Sequence, residues 1–221
     1  MRCEGFGCTE SASDGTKVLG CDTVYAVSRE HFSQNWIPIN HVNELLGILS
    51  LYDLPYAVDV VLTGGEPLLY ANDALFVAFL EALDAMGHRI TFETNGSLRV
   101  DFERFDVYKK CIFALSVKLS NSNEPFSKRV RGEVISEIAL SAKEAFFKFS
   151  IDADSINAAL EDEIAEICAY APSLEVYCMP LGGNKKEVEA NTEPLIEFCK
   201  AKGYSFSDRL HIRIWDQNKG V

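Results

Sequence analysis

Short β-rich runs alternate with amphipathic helical patterns along this chain, and that succession restricts its fold more than any other feature. "AVDVVLTGGEP" (57–67) reads as a buried strand that runs into glycines, and "HRITFETNG" and "CIFALSVKLS" read as two more. "FFKFSID", "LEVYCMP" and "LHIRIWD" complete the strand set, the last closing the chain. Between them lie helical periods. Residues 41–52 space their apolar side chains as a helix does, and residues 72–87 put Leu75, Phe76, Phe79, Leu80, Leu83 and Met86 on one face, with Gly87 as the stop. "GEVISEIALSAKEA" is a helix, Ser155 is placed to cap another over 156–170, and Thr192 with Pro194 opens one that ends near Gly203. A β-then-α unit repeated five or six times argues for a parallel sheet with helices outside it. The chain of 221 residues shows no linker, repeat or low-complexity tract, so residues 1–221 are read as one α/β domain.

In parallel α/β folds the functional loops lie at the carboxyl ends of the strands. Here those ends are "TGGEP" (63–67), "ETNG" (93–96), "SVKLSNS" (116–122), "ID" (151–152), "MPLGG" (179–183) and "WDQNKGV" (215–221). Most polar and glycine-rich residues of the strand segments gather there, which is what one shared site needs. The two glycines of "TGGEP" bring bare backbone close to a ligand, and Glu66 either fixes the loop or binds an ammonium. A tight turn into a helix explains Gly-Gly-Glu-Pro equally well.

The formal charge of −12 makes nucleic-acid phosphates and anionic membranes poor partners. No run of some twenty apolar residues spans a membrane and nothing reads as a signal peptide, so the expected compartment is the cytoplasm. Seven cysteines in a cytosolic chain are mostly reduced. Cys111, Cys168, Cys178 and Cys199 sit in apolar runs and read as small buried hydrophobes. Cys3, Cys8 and Cys21 lie instead in a polar, glycine-bearing stretch whose C-x4-C-x12-C spacing fits no common zinc module. A structural zinc and plain surface thiols both stand as readings.

Taken together, the cysteine stretch and the glycine loop resemble the radical S-adenosylmethionine enzymes. In those, three cysteines hold three irons of a [4Fe–4S] cluster and the fourth iron stays open for the cofactor's amino and carboxylate groups. "GCDTVYA" (20–26), "TGGEPLL" (63–69), "ETNGS" (93–97), "SVKLSNSNEP" (116–125), "KFSID" (148–152), "MPLGGNKKEVEANT" (179–192) and "SDRLHIRIWDQNKGV" (207–221) are similar to the 7-carboxy-7-deazaguanine synthase family, in its variety with an enlarged cluster loop. The resemblance covers nearly the whole chain. It implies a partial (β/α)6-type radical SAM barrel and a lyase reaction. The cofactor is cleaved reductively to a 5′-deoxyadenosyl radical, 6-carboxy-5,6,7,8-tetrahydropterin is contracted with loss of ammonia, and 7-carboxy-7-deazaguanine results, on the way to queuosine and tRNA modification.

Site roles follow from the resemblance position by position. Cys3 and Cys21 are implied cluster ligands, with Cys8 an uncertain one, and Thr23 is the implied Mg²⁺ ligand, a hydroxyl suiting a hard cation. Gly20, Cys21, Asp22, Gly64, Gly65 and Glu66 are implied around the cofactor, and Ser116, Val117 and Lys118 line it, with Lys118 facing its carboxylate. Met179, Pro180, Leu181 and Gly182 flank its adenine and ribose; Thr63 and Val221 contact the substrate. His211 is left between a structural and a functional role, and "NKKEVEAN" (184–191) reads as surface charge. A flavodoxin or ferredoxin as electron donor and a homodimer are further implications.

The family pattern opens with a strand carrying "S-x-Q-G-E-G", an arginine and "G-C-N-x-x-C". This sequence starts at Met-Arg-Cys, so the first strand, a substrate-gripping Gln and Glu and one cluster ligand are expected ahead of Met1. Two explanations stand. Either the sequence is a fragment of a competent enzyme, the favoured expectation, and as given holds no stable cofactor-cleaving cluster; or Cys8 replaces the missing thiolate. The rival functions are a glycyl-radical-enzyme activase and a non-catalytic, metal-binding fragment.

Overall fold

The computed structural model describes residues 8–20, 23–52, 54 and 56–218. Its centre is a six-stranded, all-parallel sheet whose strands lie side by side in chain order: β3 (Asp59–Leu62), β4 (Arg89–Thr94), β5 (Ile112–Leu115), β6 (Glu144–Ile151), β7 (Glu175–Pro180) and β8 (Ser205–Phe206). Helices α3 (Ala74–Ala85), α5 (Gly132–Ser141), α6 (Ala158–Cys168) and α7 (Lys185–Lys202) lie in crossovers and α2 (Val42–Ser50) leads into β3, with the short α1 (Arg29–Phe32), α4 (Phe126–Arg129) and α8 (Leu210–Trp215) besides. This is an α/β fold with a parallel sheet, as the alternation argues, and its strands in chain order agree with the partial barrel that the resemblance implies.

Alternation along the strands divides the sheet into two faces. Ile90, Phe92, Phe113, Leu115, Phe147, Phe149, Ile151 and Cys178 point into the helix layer and form the core with Leu80, Leu83, Ile135, Ile138, Ile164 and Leu195. Phe92 and Phe113, paired in register on β4 and β5, stack with ring centroids 5.1 Å apart. Each such ring removed from water contributes about 1.5–3 kcal/mol. Tyr108 is also fully buried, and its hydroxyl donates to the Ala71 carbonyl at 2.9 Å. The opposite face carries Asp59, Thr91, Glu93, Lys148, Ser150, Tyr177 and Met179 among the apolar Val61, Ile112, Ala114 and Phe146, a mixed surface outside the main core cluster of the described residues.

Several expectations are corrected. The run "AVDVVL" is not buried: β3 stands at the edge of the described sheet, and Val61 is 48% exposed. Met86 ends up outside the apolar face of α3. The tail of "GEVISEIALSAKEA" belongs to β6, which begins at Glu144. Asn157, not Ser155, caps α6, its Oδ1 accepting from the Ala159 and Leu160 amides, while the Ser155 hydroxyl donates to the Asp152 carbonyl. The helix assigned to Thr192 and Pro194 starts eight residues earlier, at the Asn184 cap. It ends as expected at Gly203, with φ 71°. "LHIRIW" is helix α8 rather than a strand, and β8 is the two residues Ser205 and Phe206 before it.

The N-terminal stretch, read as loop, contains a hairpin. β1 (Cys8–Ser11) pairs antiparallel with β2 (Lys17–Gly20), with Cys8 opposite Gly20 and Gly15 in the turn at φ 83°. A small cluster of Ala12, Val18, Val24 and Phe32 lies beneath it.

Candidate functional site

Five of the six expected loops meet at the carboxyl ends of β3 to β7. After β3, both glycines of "TGGEP" take left-handed conformations, φ 83° at Gly64 and 68° at Gly65, which side chains with a Cβ adopt only at a cost. A Cβ on Gly65 would also stand 3.2 Å from Val27 Cγ2. The segment following Cys21 and Asp22, through the single turn Val24–Ala26, therefore packs directly on the glycine loop. Thr23 heads that turn. Its carbonyl accepts from the Ala26 amide at 2.9 Å, and its side chain makes no cap hydrogen bond.

Glu66 fixes the loop. One carboxylate oxygen accepts from the Leu68 amide at 3.1 Å and the Thr94 hydroxyl at 2.7 Å, and the other accepts from the Asn95 amide at 2.9 Å. Three of its roughly four acceptor positions are thus filled by protein, and the ends of β3 and β4 are tied together. Of the two sequence readings for Glu66, loop-fixing is the one that the geometry displays.

On the polar face just below this rim, Lys148 Nζ pairs with Glu93 Oε1, and the Thr63 hydroxyl lies 3.5 Å from Glu93 Oε2. The two charged side chains are 18% and 35% exposed, a setting in which an ion pair is less screened than on an open surface. Thr63, expected at the substrate, is thus joined to two charged residues to which the sequence reading gave no role. A lysine at an inward position of the aromatic strand "FFKFSI" was the signal for Lys148. Lower on the same face Tyr177 donates to Glu175, and that hydrogen bond moves the phenol up from its ordinary value.

After β5, Ser116 continues the ladder by donating its amide to the Thr94 carbonyl at 2.7 Å. Val117 and Leu119 enter the core, leaving Ser116 and Lys118 half-buried between them on the alternate side. After β7, the Leu181 amide donates to the Ile151 carbonyl, and three side chains hold the loop. Asn191 donates to the Leu181 carbonyl and accepts from the Ala153 amide, Arg209 donates to the Gly182 carbonyl, and Glu187 accepts from the Gly183 amide. A Cβ on Gly182 would stand 2.8 Å from the Val188 nitrogen, so that glycine allows α7 to approach. "NKKEVEAN" is therefore not mere surface charge: it caps α7, buries Val188 and anchors the loop after β7. Met179, Pro180, Leu181 and Gly182 stay together on this rim.

The sixth expected end, "WDQNKGV", follows a helix and not a strand, yet Asp216 returns to the rim by accepting from the Lys185 amide at 2.7 Å. His211 lies exposed on α8.

Cys3, Cys21, Asp22 and Val221 lie outside the described residues, as does the side chain of Cys8. The hairpin places the Cys8 backbone across from Gly20, which precedes Cys21 in the sequence. The four cysteines of the apolar runs do not suit a cluster. Cys111, Cys178 and Cys199 are buried in the core, and burial pushes the Cys111 thiol up to about 12 and the Cys168 thiol up to about 11, away from the thiolate that metal ligation needs. Among the described residues no group of three or more His, Cys, Asp and Glu side chains is arranged to hold a metal, so any fit to an iron–sulfur cluster rests on the N-terminal thiols.

The α/β architecture, with its parallel sheet in chain order, is shared with solved structures. Crystal structures of Streptococcus suis SuiB superpose with a TM-score of 0.52 for the form bound to S-adenosylmethionine and 0.54 for the form bound to its precursor peptide SuiA, both at 12% identity. They cover 79% and 86% of this chain, which spans under half the length of the SuiB chain, 43% and 46%. By sequence the chain resembles 7-carboxy-7-deazaguanine synthase. It is 27% identical over 218 residues to the enzyme of that name from Rhodopirellula baltica, covering 91% of this chain and 75% of the relative. For the one from Halobacterium salinarum the identity is 27%, covering 85% and 77%, and for the one from Hyperthermus butylicus it is 29%, covering 88% and 77%. No family model matches the chain.

Proposed function

We propose that this protein binds S-adenosylmethionine and 6-carboxy-5,6,7,8-tetrahydropterin at the carboxyl rim of its sheet and contracts the pterin to 7-carboxy-7-deazaguanine with loss of ammonia. The observation that carries this reading is the packing of Gly65 against Val27. It brings the segment after Cys21 onto the glycine loop, so that cluster ligands and the cofactor's amino group would share one end of the sheet. The curated relatives, all bearing the synthase name, supply the reaction.

In this reading Cys3, Cys21 and Cys8 are the thiols available to a [4Fe–4S] cluster, which when bound supplies the electron for cofactor cleavage. Gly20, Cys21, Asp22, Gly64 and Gly65 surround the cofactor while Glu66 holds their loop. Ser116, Val117 and Lys118 line it from β5, with Lys118 as the cation for its carboxylate, and Met179 to Gly182 flank the adenosine. Thr63 and Val221 contact the pterin, and the Glu93–Lys148 pair beside Thr63 offers it an acceptor and a cation. Thr23 would hold Mg²⁺ through its hydroxyl together with substrate oxygens. Electrons come from a flavodoxin or ferredoxin, the protein acts as a homodimer in the cytoplasm, and its product feeds queuosine formation. No described helix is long and apolar enough to cross a membrane.

Anaerobic titration with the tetrahydropterin tests the reading. Saturable binding is expected, weakened about tenfold by Thr63→Val, the cost of one hydrogen bond to a ligand. Absence of pterin binding, or binding that Thr63→Val leaves unchanged, overturns it. Retention of one zinc without sulfide would favour a metal-binding scaffold instead.

A further inference from the structure

Against the "SVKLSNS" loop lies an ion pair that the proposed reaction does not use. Arg129, on α4, and Glu163, on α6, have side chains only 6% and 11% exposed. Arg129 Nη1 pairs with Glu163 Oε1 and also donates to the Lys118 carbonyl at 2.8 Å. Its Nε donates to the Glu124 carbonyl at 3.1 Å, and its guanidinium carbon stands 5.1 Å above the Phe126 ring. Glu163 faces the same loop: it accepts from the Ser120 amide and the Ser120 hydroxyl, both at 2.8 Å. Residues 118–124 thus wrap around one buried guanidinium and one buried carboxylate.

Two ions taken out of water this far are a poor device for stability, since well-packed apolar residues commonly do as well. What the pair supplies is geometry. The guanidinium's planar fork fixes two carbonyls six residues apart, the carboxylate fixes the backbone amide between them, and Lys118 is thereby held in one backbone position. We infer that Arg129 and Glu163 are positioning residues for the S-adenosylmethionine site, acting through the backbone of Lys118 and Ser120. This inference rests on the proposed function, because it takes Ser116 to Lys118 as the wall of the cofactor site.

Two variants test it in the full chain reconstituted anaerobically with iron and sulfide. The double substitution Arg129→Met with Glu163→Met removes both charges together, so no lone buried ion remains and the unfolding midpoint stays near that of the parent. Arg129→Lys keeps the charge but loses the fork. Both are expected to speed amide exchange over residues 116–122 and to weaken S-adenosylmethionine binding roughly tenfold to a hundredfold, with tetrahydropterin affinity as in the parent. Parental cofactor affinity in either folded variant overturns the inference, as does an equal loss for both ligands, which marks a general structural role. If the double variant fails to fold, Arg129→Lys decides. A parent protein that binds no S-adenosylmethionine overturns the proposed function, and the inference falls with it.

Discussion

Single residues in this chain separate into those that hold the core and those that hold the rim, and the cysteines show the division most clearly. Cys111, Cys168, Cys178 and Cys199 were legible as buried hydrophobes because their neighbours are apolar, and the structure buries three of them and half-buries Cys168. Burial raises their thiols from an ordinary value near 9, to about 12 at Cys111 and about 11 at Cys168. The sign of the consequence is fixed: below pH 9 both folded and unfolded chains keep these protons, whereas above it the unfolded chain loses them first. Their contribution to stability is therefore constant below pH 9 and falls as pH rises from 9 towards 12. Urea midpoints measured across that range should drop, and Cys111→Ala should drop less steeply; a parallel profile for the variant would contradict the assignment. The rim residues were harder to read. Glu66 stood out beside two glycines and Lys148 interrupts an aromatic strand, but the partners that Glu93, Lys148, Arg129 and Glu163 find 30 or more residues away are beyond the reach of any local pattern.

At the scale of elements, periodicity identified what is packed and misread what is pinned. β4, β6 and α3 follow their patterns because their apolar residues enter one core. "LHIRIW" alternates like a strand, yet α8 leaves Leu210 and Ile214 more than half exposed and is held by polar contacts, Arg213 to Asp208 and to Thr192. Thr192 resembles a helix start, but its hydroxyl donates back to the Val188 carbonyl within α7. The cap of α6 offers a direct check. Asn157→Ala removes the acceptor for two amides and should lower stability by about 1 kcal/mol, measured by chemical denaturation, with Ser155→Ala costing less. A larger loss for Ser155→Ala would return the cap to the position that the sequence suggested.

Across the whole molecule, the parallel sheet was readable from the β–α alternation, but the order of its strands was not, since the same alternation serves doubly wound sheets; chain order agrees with the barrel that the resemblance implied. The hairpin of β1 and β2 was not, because its short strands carry few apolar residues and pack a cluster of only four. The central claim concerns the whole rim: loops after β3, β4, β5 and β7 act as one site for S-adenosylmethionine and a tetrahydropterin. Amide hydrogen exchange, followed with and without the two ligands under anaerobic conditions, tests it most directly. The expected footprint is joint slowing at residues 63–66, 93–96, 116–122 and 179–183, with the amino-terminal side of the sheet unchanged. Slowing confined to one loop, or none at the rim, would contradict the account.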